Sequence, residues 1–167
     1  MKKRVNREAL FILTAIVVCF SFVNFICIAF PALKLTHNNE YFNVSAKVEG
    51  LIAIVGGTIS AGSETNNSNL LNASFNLLSL IGYIIPLVGC ILSMIALNKT
   101  NQIMYYIAGV FCLAGGVITL FEGVIFTSVN NLKLVEVSLL FGPIIGGICG
   151  VLAGVVSFGS WYIFNKK

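Results

Sequence analysis

Four long apolar stretches, at residues 10–30, 75–97, 103–126 and 137–164, are set apart by segments that are polar, charged or alternating. A helix rises 1.5 Å per residue, so about 20 apolar residues cross the roughly 30 Å hydrocarbon core of a bilayer. Each stretch meets that length and is expected to be a membrane-spanning helix. The fourth closes on Trp161 and Tyr162, residue types that favour the headgroup layer. The joints at 98–102 and 127–136 are short, which makes the helices they connect antiparallel neighbours. The predicted fold class is an all-α membrane protein, a bundle of four transmembrane helices occupying residues 1–167 as one domain.

Residues 31–74, between the first two helices, follow a different period. Phe42, Val44, Ala46 and Val48 alternate with Asn43, Ser45, Lys47 and Glu49, which is the pattern of a half-buried strand. Leu33 to Thr36 can supply a first strand, with the turn-prone His37-Asn38-Asn39 behind it. The apolar run Leu51 to Val55, closed by Gly56-Gly57, reads as another strand, and Thr58 to Ser60 can return as a hairpin. These segments predict a small antiparallel β-sheet from the first external loop, seated on the outer end of the bundle. The following stretch, 61–72, is polar and turn-rich; it is expected to be mobile or to wait for a partner, with Ser63, Glu64, Asn66 and Asn67 as candidate contact residues. Three glycosylation patterns begin at Asn43, Asn66 and Asn72, but in so asparagine-rich a chain they carry no weight.

Composition agrees with the membrane class. Hydrophobic residues make up 57% of the chain, charged residues 10%, and the mean hydropathy is +0.96, more apolar surface than one soluble core of this size can hide. A net charge of +4 would suit an anionic partner, yet the basic residues mostly flank apolar runs, which argues against nucleic acid. With the amino terminus in the cytoplasm, Lys2, Lys3, Arg4, Arg7, Lys99, Lys166 and Lys167 lie inside and Lys34, Lys47 and Lys133 outside. That asymmetry fits the positive-inside rule and predicts a multi-pass plasma-membrane protein with both termini cytoplasmic. The basic head before residue 10 resembles that of a signal peptide, but the apolar run is longer and reaches Phe30-Pro31 without a small-residue cleavage site.

Within the spans, small residues mark faces where backbones can approach. Gly142, Gly146, Gly150 and Gly154 recur every four residues on one side of the fourth helix, either as an internal packing face or as a homodimer seam. Ala108, Gly109, Gly115 and Gly116 of the third helix offer a partner surface. Pro86 should kink the second helix, whereas Pro143 falls in the tolerant first turns of the fourth. Glu122, about 28 Å along the third helix, should sit near the external interface, bonded to Lys133 or the base of the large loop. Its functional alternative is an ion-attracting carboxylate at a cavity mouth. Asn24 reads as an interhelical hydrogen-bond donor.

Cys19, Cys27, Cys90, Cys112 and Cys149 all lie in apolar segments as packing thiols, and His37 is a lone loop histidine, so no metal and no cofactor is expected. No paired carboxylates, nucleophile with a histidine, or phosphate-binding glycine loop is present in the sequence, and the protein is read as non-enzymatic.

Pro31-Ala32-Leu33-Lys34-Leu35-Thr36 is similar to the segment that leaves the first helix of claudins, and Glu49-Gly50-Leu51-Ile52 to the Glu-Gly-Leu-Trp of their signature. Residues 107–111 and 136–142 are also claudin-like in pattern. With four spans, a long first external loop of strands and a short second one, the chain resembles the claudin and peripheral myelin protein superfamily. Leu33 and Ile52 stand where claudins have tryptophans, and the two loop cysteines are absent. The sheet therefore lacks a staple worth roughly 2–4 kcal/mol and must rest on packing. The resemblance implies adhesion, lateral assembly, or service beside a larger membrane complex. Expected partners are the lipid bilayer and another membrane or surface protein, or a second copy, met through the external loop or the fourth helix. The alternative is a small channel or transporter component with Glu122 and Asn24 on a polar path.

Overall fold

The computed structural model describes residues 7–39, 42–63, 66–99, 101–132 and 135–165. In chain order the elements are α1 (Arg7–Ile26), β1 (Pro31–Asn39), β2 (Phe42–Glu49), α2 (Gly50–Val55), β3 (Gly57–Ser63), β4 (Asn66–Ala73), α3 (Leu77–Lys99), α4 (Gln102–Leu120), α5 (Glu122–Val129), β5 (Glu136–Leu139) and α6 (Phe141–Asn165). A single 3-10 turn, Cys27–Ala29, prolongs α1. Glu64 and Lys133, together with Lys2, Lys3, Arg4, Lys166 and Lys167, lie outside the described residues.

Four helices, α1 with its 3-10 turn, α3, α4 and α6, are long and apolar enough to cross a membrane. Their outward faces carry large uncovered side chains, among them Phe11, Phe22, Ile91 and Ile103, each more than half exposed. In water such a surface would drive aggregation; in lipid it is the solvated face. The protein is thus a multi-pass membrane protein. In the bundle α4 lies between α3 and α6, and α1 closes the ring against α6 and α3. The described termini sit at one end, and the strands at the other.

Two of the expected spans end differently. The third breaks at Phe121 (φ −91°, ψ 10°), whose N–H is shared between the carbonyls of Val117 and Ile118 at 3.2 and 3.1 Å. This tightened turn ends α4, and α5 starts at the next residue. The fourth begins at Phe141 rather than 137. Residues 136–139 alternate between exposed and half-buried and form β5 beside β1, with Leu35 facing Val137 and Thr36 facing Glu136. Leu140 N–H then donates to Ala32 O at 2.8 Å, which seats the helix start on the first loop.

At the strand end, β2, β1 and β5 form a three-stranded antiparallel sheet in that order. Strand β1 runs through His37-Asn38-Asn39, which pair with Val44, Asn43 and Phe42, so these residues are strand and not turn. Leu33, Leu35, Ala46 and Val48 point from the sheet into a core closed by Ala53 of α2, Ile59, Ala73 and Phe126 of α5. Residues 51–55 are not a strand. They belong to α2, where Ala53 and Ile54 are buried while Leu51 and Val55, four apart, are exposed, the spacing of a helix face. The described residues of the polar stretch 61–72 have strand backbone, in the hairpin of β3 and β4 that runs from Gly57 opposite Ala73 to Ser63 opposite Asn66. Gly56 (φ 86°) and Gly57 (φ 148°) make the sharp exit from α2 into that hairpin, a conformation that side chains disfavour.

Candidate functional site

The largest buried polar group stands where the bundle meets the sheet. Glu122 is the first residue of α5 and is wholly enclosed. Its Oε2 accepts a hydrogen bond from the Tyr83 hydroxyl of α3 at 2.6 Å, a short, strong bond. This corrects the expected partner at the loop base: the carboxyl reaches sideways to a neighbouring helix. A tyrosine hydroxyl inside an apolar span needs a partner, and that need was the available signal. Helical side chains lean toward the helix start, so Tyr83 leans over Ser79, one turn earlier on the same face. Asn76 caps that helix, its Oδ1 accepting from Ser79 N–H at 3.2 Å, while its own N–H donates to Ile54 O at 2.7 Å. Glu122 Oε1, Ser79 Oγ and Asn76 Nδ2 are buried without a hydrogen bond. The group is closed over rather than open to a cavity, and it works as a joint: it ties α5 to α3 and, through Asn76, to α2.

A second tie runs beside it. Asn130, which ends α5, accepts the Ser74 N–H on its Oδ1 at 2.8 Å. The two loops at this end are thus held to each other by this bond, by the pairing of β5 with β1 and by the Leu140 N–H bond to Ala32 O.

Asn24 is fully buried deeper in α1, and its Nδ2 donates to Gly146 O of α6 at 2.7 Å. The fourth-helix glycines are consumed inside the chain. A methyl at Gly142 would stand 3.0 Å from Cys27 O, at Gly146 3.1 Å from Cys27 Cβ, at Gly150 2.7 Å from Gly116 Cα, and at Gly154 2.8 Å from Leu113 N. The face is the contact of α6 with α1 and α4. Toward the terminal end, polar side chains lace the helices again, with Ser157 Oγ donating to Tyr105 O at 2.9 Å and Thr14 and Tyr105 hydroxyls 3.3 Å apart.

The remaining described residues singled out from the sequence lie at the strand end of the bundle. Pro31 opens β1, Glu49 ends β2 exposed, Gly50 is buried at the start of α2, and Leu51 follows it, 52% exposed. Ser63 pairs with Asn66 and Gly62 with Asn67 at the far end of the hairpin. These two groups are thus separated, the first at the bundle's rim and the second at the hairpin's tip. Among the described residues no three of His, Cys, Asp and Glu gather in a way that could hold a metal. Cys27, Cys90 and Cys112 are buried free thiols.

Fold and surface together define a four-span membrane protein whose strand-bearing end is braced by both of its loops. No protein-family model matches the sequence, and no curated protein matches it.

Proposed function

We propose that this is a non-enzymatic plasma-membrane protein of claudin-like architecture that acts by contact, its sheet facing outward and both termini in the cytoplasm. The observation that carries the reading is the hairpin of β3 and β4. Its strands hydrogen-bond only to each other among the described residues, and its sequence there is polar, Asn66-Asn67-Ser68-Asn69 returning opposite Ser60-Ala61-Gly62-Ser63. A two-stranded ribbon of this kind is marginal alone and leaves backbone edges unpaired for whatever it meets. The sheet behind it supports contact, because a surface held by two loops at several places presents a fixed shape and binding then orders little. The distribution of basic residues supports the orientation. The likeness of Glu49-Gly50-Leu51 to the claudin signature, together with four spans and a strand-bearing first loop, is what the claudin-like reading rests on.

Two vesicle populations carrying the purified protein test this, alongside site-specific photocrosslinking from the hairpin in native membranes. Wild-type protein is expected to tether vesicles or to give a discrete crosslinked species. Replacing residues 63–67 with a Gly-Ser linker is expected to abolish both. Wild-type protein that neither tethers nor crosslinks, or a linker variant that matches it, overturns the reading.

A further inference from the structure

We infer that α2 is a lipid-binding anchor: a one-and-a-half-turn helix that lies in the bilayer interface and moors the sheet to the membrane through Leu51 and Val55. The inference rests on the four-span assignment and holds whichever side the sheet faces.

Height is the first argument. The span formed by α1 and its 3-10 turn covers 23 residues, and α3 covers 23, each about 34 Å of helix against roughly 30 Å of hydrocarbon. Their strand-side ends therefore fall at the edge of the hydrocarbon. Helix α2 is pinned to both ends: Gly50 N–H donates to Phe30 O at 3.0 Å, just past the first span, and Asn76 N–H donates to Ile54 O at 2.7 Å, just before the second. Gly50 itself packs directly on the backbone of Ile28 and Phe30, with no room for a side chain. So α2 cannot ride up with the hairpin; it bridges two helix ends at the boundary.

The second argument is the face it presents. Ala53 and Ile54 are buried at 0% exposure under the sheet and against Tyr83 and Cys27, whereas Leu51 is 52% and Val55 62% exposed. The sequence Gly-Leu-Ile-Ala-Ile-Val contains no polar residue, so its uncovered side is wholly apolar. Where the chain leaves the first span and enters the second, the residues beside the two pinning bonds are exposed and apolar as well: Phe30 is 51% exposed, Phe75 55% and Leu77 58%. The polar boundary is equally clear, since Glu49 and Lys47 are exposed immediately before α2. An apolar face pinned to the ends of two spans and bounded by charge is the arrangement of an interfacial helix, and its occupant is the acyl–glycerol region of the nearer leaflet. Six residues bury too little to bind a membrane by themselves; the two pinning hydrogen bonds hold them in place.

Trp161 is the only tryptophan in the chain, so fluorescence can report the depth of a new one. In a Trp161→Phe background, Leu51→Trp and, as a second reporter, Val55→Trp are reconstituted in phosphatidylcholine vesicles containing lipids brominated near the glycerol or near the chain end. Lys47→Trp on β2 serves as the water-facing reference. The expected result is blue-shifted emission from both reporters, lost with glycerol-proximal bromine more than with chain-end bromine, and little affected by iodide. The reference should respond in the opposite way. Emission at the Lys47→Trp wavelength with quenching by iodide would place α2 in water and overturn the anchor. Emission quenched by neither bromolipid nor iodide would show protein covering the face, a second copy in such vesicles, and overturns it equally.

Discussion

The seam between α4 and α6 and the core beneath the sheet are both tightly packed, but by opposite means. At the seam two backbones touch, with Gly116 against Gly150 and Gly109 and Leu113 against Gly154. Under the sheet the contact is made by whole side chains, with Leu33, Val48 and Phe126 at 0% exposure. Lipid explains the difference. Inside a bilayer, burying an apolar side chain gains nothing over leaving it in acyl chains, so helices cohere through close dispersion contact and hydrogen bonds, which small residues permit. At the membrane edge, water returns and burial of large side chains again drives packing. The seam should therefore be sensitive to added atoms, and the sheet core to removed ones.

Gly150→Leu should produce the largest effect. Its first added carbon would already lie 2.7 Å from Gly116 Cα and 3.2 Å from Asn24 Nδ2, and the backbone of α4 cannot step aside as a side chain would. Overpacking costs about 1–3 kcal/mol where neighbours can shift, and more where they cannot. The expected outcome is loss of the monodisperse species in detergent gel filtration; a variant that elutes and melts like wild type would sink the seam account. Leu33→Ala comes next. Truncating a fully buried leucine costs about 2–5 kcal/mol, here confined to the sheet core. Hydrogen exchange in residues 31–73 should accelerate while exchange in α4 and α6 stays slow. If all helices open together, sheet and bundle are one cooperative unit.

Tyr83→Phe lies between the two regions. It leaves the Glu122 carboxyl with no donor in a closed site, a loss of about 1–3 kcal/mol for an unsatisfied buried group. Glu122→Gln keeps an acceptor for the tyrosine and should cost less. Limited proteolysis around residues 130–135 reads the difference, because α5 carries that segment. Equal behaviour of the two variants would remove the hydrogen bond from the account of how α5 is held.

The spans were legible because bilayer thickness sets a length that apolar runs either meet or miss. Their ends were not, for a physical reason visible at 137–140: Val137 and Leu139 are as apolar as the helix that follows, and only pairing with β1, a hundred residues earlier in the chain, makes them strand. Leu51 to Val55 failed for the same reason, since a run without polar positions has no period to read. Strand β4 was hidden by its asparagines, a residue type depleted in strands, and it forms opposite β3 nonetheless. Among the site residues, the glycine spacing pointed at a real face, but which helix fills it is a tertiary fact. Glu122 was conspicuous as an acid in an apolar stretch, while Tyr83, 39 residues away, could be named its partner only once α3 and α5 were placed together.

The smallest effect sharpens the comparison most. Gly159 is on the same helix as the seam glycines, yet an added methyl there would meet nothing within 4 Å. If α6 tolerates no side chain wherever it carries glycine, Gly159→Ala should damage the bundle as Gly150→Ala does. If contact with a neighbouring backbone is what forbids the methyl, Gly159→Ala should be neutral or should stabilise by up to about 1 kcal/mol, the helix-propensity advantage of alanine over glycine. Thermal unfolding of the two alanine variants in one detergent decides between these, with Gly150→Ala expected to melt lower than wild type and Gly159→Ala at or above it. A drop at Gly159 matching that at Gly150 would mean that helix flexibility, and not the touching of backbones, is what the glycines supply.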